Sequence, residues 1–358
     1  MLYRGFVNLV NRLPLPSLAV QKWIAIAVIV TQGGIAVTGS VVRVTASGLG
    51  CTTWPQCYPG SFVPTGDSTA PWMHQFIEFG NRLLTFLVVA TAAAVVLAVT
   101  RAGRRREVLT YAWLMPLSTV AQAVLGGITV LTGLLWWTVA LHLLVSMAMV
   151  WLSVMLYHKI DQPDDGVEVT TLPKQLRWLT ALTGVALAGT LVAGTMVTGA
   201  GPHAGDKNPE RTVERLDLDI TNLVHLHAEL LVAYLALLVG LGFALYAVGA
   251  SAAVKLRLKV VVGLVVAQAC VGLVQFWTHV PAALVTIHVA LAGACTAATA
   301  ALYAAGRSAC RSTPAPTPRR SPPSERRHPP TTKAGTLHRR ISAFSVCQRS
   351  LRALGKRV

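Results

Sequence analysis

Residues Asn222–Glu229, with the sequence NLVHLHAE, open a long apolar segment and carry two histidines close to its start. A shift of 146 residues (227 − 81) lays Asn81 on His227 and His142 on His288. Self-similarity at a fixed spacing is the mark of a duplicated structural unit. The sequence therefore predicts that His142 and His288 lie at matching places in two copies of one four-helix unit.

Residues on the preceding segment support this repeat. The same shift lays Ala121-Gln122-Ala123 on Ala267-Gln268-Ala269, and Gly126 on Gly272. The two copies thus share a short motif as well as a histidine.

The composition is that of a membrane protein, with 53% hydrophobic and 13% charged residues. The apolar residues come in segments of about 20, which is the length needed to cross a hydrocarbon layer of roughly 30 Å. We therefore predict an all-α membrane protein with eight transmembrane helices. The segments are 22–42, 77–99, 109–131, 137–157, 176–198, 222–247, 258–277 and 282–305.

The formal net charge of +17 would also suit a nucleic-acid-binding protein, but its location argues otherwise. Residues 308–358 contain twelve Lys or Arg and one acid, so this tail carries +11 of the total. Attraction to anionic membrane lipid explains such a charge better, and we expect no nucleic-acid partner. Basic residues also recur in every second connection between the spans. In membrane proteins, connections rich in Lys and Arg face the cytoplasm. We expect a protein of the cell (plasma) membrane with both termini in the cytoplasm.

Four spans per copy insert both copies in the same sense. We therefore expect two parallel four-helix bundles related by a pseudo-twofold axis along the membrane normal. The predicted divisions are a cytoplasmic segment 1–21, an N-terminal half 22–157, a cytoplasmic linker 158–175, a C-terminal half 176–305 and a basic, Pro/Arg-rich, mostly disordered cytoplasmic tail 306–358.

Four histidines lie inside predicted spans, where an ionisable side chain is costly unless it has a partner or a polar surrounding. The topology brings His142, His227 and His288 near the outer ends of their helices. Facing histidines on neighbouring helices are what bis-imidazole haem ligation requires. The alternative for each is a capped or water-bonded histidine at the interface. His225 lies about 200° around the helix from His227, so we assign it a structural or supporting role beside the site.

Polar residues on the second span suggest proton chemistry. Glu78 lies one turn before Asn81 on the same helix face, where a carboxylate could move protons or orient water. The alternative to this role is that Glu78 is only an acid near a helix N-terminus, a position that the helix dipole favours. Arg82 could pair with Glu78 or with a propionate. Cys51 and Cys57 could form a disulfide, as a plain staple or as a redox pair.

Several motifs together resemble the haem A synthase family over roughly residues 20–305. They are Thr38-Gly39-Ser40-Val41-Val42-Arg43, Ser47-Gly48-Leu49-Gly50-Cys51, Trp54-Pro55-Gln56-Cys57, Ile77-Glu78-Phe79-Gly80-Asn81-Arg82, Leu141-His142, His227 and His288.

The resemblance implies a function for each half. The C-terminal half would hold a haem b between His227 and His288. The N-terminal half would receive haem O and oxidise its C8 methyl to a formyl group, giving haem A for cytochrome oxidase. Glu78 would be the acidic residue next to the substrate haem, and Cys51 and Cys57 the outer-loop cysteine pair. Haem O synthase and cytochrome oxidase assembly factors would be partners, and a homo-oligomer is left open.

One position departs from the family. Members usually have Glu-x-x-His-Arg on the second helix, whereas this chain has Asn81 in place of that histidine. One interpretation is that His142 is the only protein ligand of the substrate haem, which leaves its iron open on the Glu78 side. The other is that His74, seven residues before Asn81, supplies the second ligand.

Two other classes of protein share some of these features. A dihaem b-type electron-transfer subunit without methyl oxidation would use the same histidines, but it would need two complete histidine pairs, which Asn81 contradicts. A transporter built from parallel repeats would need interrupted spans with charges inside the membrane, and the sequence has no such interruption.

Overall fold

The computed structural model describes residues 2–65 and 70–311. The tail from residue 312 onwards, predicted to be mostly disordered, lies outside the described residues. The elements of the described part are α1 Leu2–Val10, α2 Leu18–Val44, α3 Trp72–Arg101, α4 Arg106–Leu131, α5 Trp136–Asp161, β1 Gly166–Thr170, α6 Lys174–Ala200, α7 Ile220–Ala247, α8 Ala252–Trp277, α9 Ala282–Ala304 and β2 Arg307–Arg311.

Helices α2 to α9 are the eight spans, which confirms the prediction of a multi-pass, all-helical membrane protein. They contain 23 to 30 residues each, so at about 1.5 Å per residue they are roughly 35 to 45 Å long. Several begin before the predicted segment. α2 begins at Leu18 because the Ser17 hydroxyl caps it by accepting from the Val20 N–H at 3.3 Å.

Large apolar side chains point away from the protein on the spanning helices. Examples are Trp23 on α2, Phe86 on α3 and Phe243 on α7, each with at least 70% of its surface exposed. A water-soluble protein rarely presents so much continuous apolar surface. These side chains therefore fit a lipid surrounding.

Helices α2–α5, which we call the first set, contact one another, as do helices α6–α9, the second set. In the first set, α2 packs on α3 and α5, and α4 packs on α3 and α5; in the second, α6 packs on α7 and α9, and α8 on α7 and α9. Each set has its own apolar core, around Val95, Met115 and Leu156 in the first and around Tyr234 and Leu238 in the second. α9 packs on α2 and α5, and α5 on α6, so these helices join the two sets.

Two long connections meet at one end of the bundle, which we call the loop end. Residues 45–71 follow α2, and residues 201–219 follow α6. The Gly48 N–H donates to the Gly205 carbonyl at 2.8 Å. The Arg43 guanidinium donates to the carbonyls of Thr198 and His203, at 3.0 Å each. The two halves are thus joined above the spans by backbone and arginine hydrogen bonds.

The opposite end carries ion pairs and a small sheet. Lys22 pairs with Asp161 at 2.7 Å, and Arg104 with Asp164 at 2.7 Å. Strands β1 and β2 pair antiparallel, in the linker and directly after α9. Residues 307–311, at the start of the tail, are thus paired with the linker, and the mostly disordered character of the tail stays a prediction.

Candidate functional site

His227 on α7 and His288 on α9 face each other near the loop end. Their ring centroids are 6.3 Å apart and the rings are tilted by 57°. α7 and α9 are not one of the closely packed helix pairs of the described chain, so the two imidazoles meet across a gap between backbones.

The orientation of His227 is fixed by α6. Its Nδ1 lies 2.9 Å from the Thr190 carbonyl oxygen, so Nδ1–H donates there and the lone pair of the neutral ring is on Nε2. A Cβ at Gly194 would lie 3.0 Å from the His227 ring, so a larger residue there would force the ring to shift. His227 is thus held as a ligand-competent imidazole.

His288 is held by α8. The Gln268 side-chain amide donates to the His288 backbone carbonyl at 3.1 Å. A Cβ at Gly272 would lie 3.1 Å from the imidazole. Nδ1 of His288 is buried without a hydrogen-bond partner among residues 2–65 and 70–311. Orphaned buried polar atoms are rare, and they often mark a site that functions with a ligand.

The pair fits an iron held in a macrocycle. Two metal–imidazole bonds of about 2 Å each, with the two ring radii, fill a centroid separation of this size. The described chain has no cluster of three or more His, Cys, Asp or Glu side chains that could hold a metal ion alone. An iron whose remaining ligands come from a macrocycle, as in haem, needs no more than two protein ligands.

His142 on α5 has the same local support in the first half. The Gln122 amide donates to the His142 carbonyl at 3.1 Å and to the Ser146 hydroxyl at 2.6 Å. A Cβ at Gly126 would lie 3.4 Å from the ring, and Nδ1 of His142 is also buried without a partner in the described part of the chain. The α4–α5 pair thus repeats the α8–α9 arrangement.

Asn81 on α3 has a different partner from that of its counterpart His227. Its Oδ1 accepts from the Thr38 hydroxyl on α2 at 2.7 Å. The first half therefore has a side-chain amide where the second half has an imidazole.

Glu78 is buried, with 5% of its surface exposed. One carboxylate oxygen accepts from the Cys51 N–H at 2.7 Å, and the other pairs with Arg82 at 2.7 Å. Arg82 also donates to the carbonyls of Thr53 and Gln56. Arg82 thus contacts Glu78, one of the two partners considered for it, and its pairing with a propionate stays a prediction. Sequence reasoning missed the Cys51 contact, which a residue 27 positions away provides.

The first long connection is built around a disulfide. Cys51 and Cys57 are bonded and fully buried, and the Tyr58 hydroxyl donates to the Gly50 carbonyl. Trp54 packs so closely on α4 that a Cβ at Gly127 would overlap its ring at 2.5 Å. Burial of both sulfurs favours a staple that fixes the loop over Glu78.

Two further histidines were candidates. Nδ1 of His74 lies 2.9 Å from the Ala46 carbonyl oxygen and 3.3 Å from the Ser47 hydroxyl, so this ring is tied to the end of α2. His225 is exposed on α7, with no side-chain hydrogen bond in the described chain. That position does not support a role for His225 beside the metal.

A family model described as COX15-CtaA, cytochrome oxidase assembly protein, matches residues 21–300. The chain belongs to this family. The COX15-CtaA match runs from α2 into α9, so it includes both histidine-bearing halves.

Curated relatives are similar over shorter stretches. A protein of Geobacillus kaustophilus named heme A synthase is 33% identical over 98 residues, which are 27% of this chain and 29% of the relative. A heme A synthase of Macrococcus caseolyticus is 28% identical over 167 residues, 45% of this chain and 54% of the relative. One of Lysinibacillus sphaericus is 28% identical over 128 residues, 35% and 40%. The chain thus spans between about a third and half of the length of these relatives.

Proposed function

We propose that this protein is a haem A synthase, which oxidises the C8 methyl of haem O to a formyl group. The observation that carries the proposal is the asymmetry between its two histidine sites, in a chain of a cytochrome oxidase assembly family. One half has two facing imidazoles, and the other has one imidazole, an amide and a buried carboxylate. The curated relatives are named heme A synthase, which supports the same proposed function.

The C-terminal half is proposed to hold a resident haem b, with His227 and His288 as its ligands. When bound, that haem supplies an electron-transfer centre. The protein's part is to orient the ligands. The Thr190 carbonyl sets the tautomer of His227, and Gln268 ties the backbone at His288 to α8. Fixing ligands in this way lowers the reorganisation that electron transfer requires.

The N-terminal half is proposed to receive haem O, with His142 as its protein ligand. Asn81 stands where a second imidazole would be, which leaves the other side of the substrate iron open towards Glu78. Such an opening suits oxidation of a group on the macrocycle edge, because water or an oxidant has to reach it. His74 is the less favoured second ligand, since its Nδ1 is already engaged by the backbone at Ala46.

Glu78 is proposed to take up protons as the methyl group loses hydrogen and gains oxygen. Its carboxylate is anchored by the Cys51 N–H and by Arg82. Arg82 is itself held by two carbonyls of the disulfide loop, so the pair is fixed in place. A positioned carboxylate of this kind contributes roughly 100-fold or more to proton-transfer steps.

The wider arrangement follows from the same duplication. We propose that residues 22–157 and 176–305 are the two halves, related by a pseudo-twofold axis along the membrane normal. The matching helix pairs and the matching Gln–His contacts of His142 and His288 support this relation. The protein would lie in the plasma membrane with cytoplasmic termini, receive haem O from haem O synthase and deliver haem A to oxidase assembly factors.

The test is pigment extraction from the purified protein, expressed with and without a haem O source. Haem A should appear only with haem O. Glu78→Gln keeps an oxygen for the Cys51 N–H but loses the charge, so it should lower haem A formation by about 100-fold while total haem stays near normal. Glu78→Ala should do the same and also loosen the loop.

Three results would contradict parts of this proposal. A colourless preparation would show that the purified protein binds no haem, and it would favour a transporter. Two low-spin haems without haem A favour a dihaem electron carrier. Normal haem A in Glu78→Gln but not in Glu78→Ala would reduce Glu78 to a structural anchor.

A further inference from the structure

The sequences of helices α2 and α6 also resemble each other. The contacts of the two helices can therefore be compared residue by residue. Placing Gly194 on Gly39 brings several other identical or similar residues together. They are Arg177 on Lys22, Trp178 on Trp23, Gly189 on Gly34 and Val192 on Val37. In this register Thr190 lies on Ile35, and Ala193 lies on Thr38.

In the second half this stretch of α6 serves the His227 ring. The Thr190 carbonyl accepts from His227 Nδ1–H at 2.9 Å, and the ring lies 3.0 Å from the Cβ position of Gly194. Ala193 adds no polar group. The imidazole therefore fills the space beside Gly194 and donates to the Thr190 carbonyl.

In the first half both features have changed. The Ile35 carbonyl is contacted by the Thr38 hydroxyl at 3.1 Å, and the same hydroxyl donates to Asn81 Oδ1 at 2.7 Å. No described protein atom lies within 4 Å of the Cβ position of Gly39, apart from its own local backbone. The single Thr38 O–H is given to Asn81 at the shorter distance, and the space beside Gly39 stays free of described protein atoms.

The Thr38 contact also decides how Asn81 is oriented. Because Oδ1 is occupied, the amide NH₂ is the group left to act towards the site, and it has no partner among the described residues. An amide NH₂ is a donor only. Glu78, one turn away, is neutralised by Arg82 at 2.7 Å, so it does not make the surroundings anionic.

We propose that Asn81, Thr38 and Gly39 form a binding site for a small anionic or oxygen-containing ligand, which we call the Asn81 pocket. The amide of Asn81 donates to the ligand, Thr38 fixes the amide, and Gly39 leaves the space. The inference rests on the proposed function, since the ligand would approach the open side of the iron of haem O held by His142. Water, hydroxide and azide belong to this ligand class.

The experiment is an azide titration of the full chain loaded with haem O, followed by optical absorption. Haem per chain is measured first. Azide should change the spectrum of one haem, the one in the N-terminal half, and leave the other unchanged. Asn81→Leu keeps a side chain of similar size without the donor, and it should weaken azide binding by about tenfold or more, the loss expected for a hydrogen bond to a charged group.

Two further variants and one further probe separate this pocket from a merely structural role. Thr38→Val should weaken azide binding to an intermediate extent, because the amide is no longer held. Asn81→His should convert the haem to a low-spin form and abolish azide binding, because the ring refills the space. Imidazole, used as a second probe, needs no donor from Asn81. The affinity of the protein for imidazole should therefore fall no more than about twofold in Asn81→Leu, whereas azide loses its hydrogen bond in the same variant.

The outcomes also separate this inference from the proposed function. Azide binding of equal strength in wild type and Asn81→Leu overturns the pocket, as does a wild-type protein that loads haem O but does not respond to azide. A protein that binds azide as described but makes no haem A keeps the pocket and loses the proposed function. A protein that retains no haem O overturns both.

Discussion

The two halves hold His142 and His288 in the same way, but they differ on the facing helix. On α5 and α9, each histidine has a glycine beside its ring, a glutamine on its carbonyl and a buried Nδ1 without a described partner. On the other side, His227 is bonded to a carbonyl of α6, whereas Asn81 is bonded to a hydroxyl of α2. The α4–α5 and α8–α9 pairs thus match at these histidines, whereas the facing helices differ, which is where two sites could take up different tasks.

The largest expected effect comes from breaking the intact pair. His288→Ala removes one of the two proposed ligands, and residues that merely support ligands already change metal affinity by about 10–100-fold. We expect the haem b of the purified protein to fall at least tenfold, measured by reduced-minus-oxidised absorption spectra. His225→Ala, on the exposed side of α7, is the matched control and should retain its haem. An unchanged spectrum in His288→Ala would remove this pair as the haem site.

A smaller effect should separate the two matching glycines. Gly194→Ala places a Cβ 3.0 Å from the His227 ring, so the ring has to shift, and overpacking of this kind costs about 1–3 kcal/mol. We expect a lower melting temperature and reduced haem b. Gly39→Ala meets no described atom within 4 Å and should preserve both properties. Equal sensitivity of the two variants would contradict the difference in space between the halves.

The smallest effect lies at the opposite end, where ion pairs support the first half. Partial burial disfavours the charged carboxylate of Asp164, but the Arg105 N–H and the Arg104 guanidinium hold its pKa below the usual value. A lowered pKa stabilises the folded state above the unfolded pKa, and this contribution is lost as the pH falls through the folded pKa. Because 40% of the Asp164 side chain is exposed, screening limits the effect.

Asp164→Asn should therefore cost about 0.5 kcal/mol at neutral pH, measured by thermal unfolding. The difference from the wild type should shrink as the pH falls below the ordinary pKa of about 3.9 and disappear only below the lowered folded-state pKa, where Asp164 is protonated in both states. A difference that persists at low pH would mean that the side chain acts through packing instead of charge.

The sequence alone determined the eight spans and the repeat. The spans can be identified from local sequence, because roughly 20 consecutive apolar residues suffice to identify a membrane-crossing helix. The shift that aligns His142 with His288 also needs no structure, and it located the histidines near the same end of their helices. The departure at Asn81 was visible for the same reason.

Only the tertiary structure decided which groups meet between distant segments. The Cys51 N–H on Glu78, the Thr190 carbonyl on His227 and the Thr38 hydroxyl on Asn81 join residues between 27 and 43 positions apart. The sequence did not predict strand β2, because its partner strand lies in the linker more than a hundred residues earlier. Hydropathy records how each residue partitions between water and lipid. It carries no information about which helix faces pack together, and that packing sets the hydrogen bonds of the site.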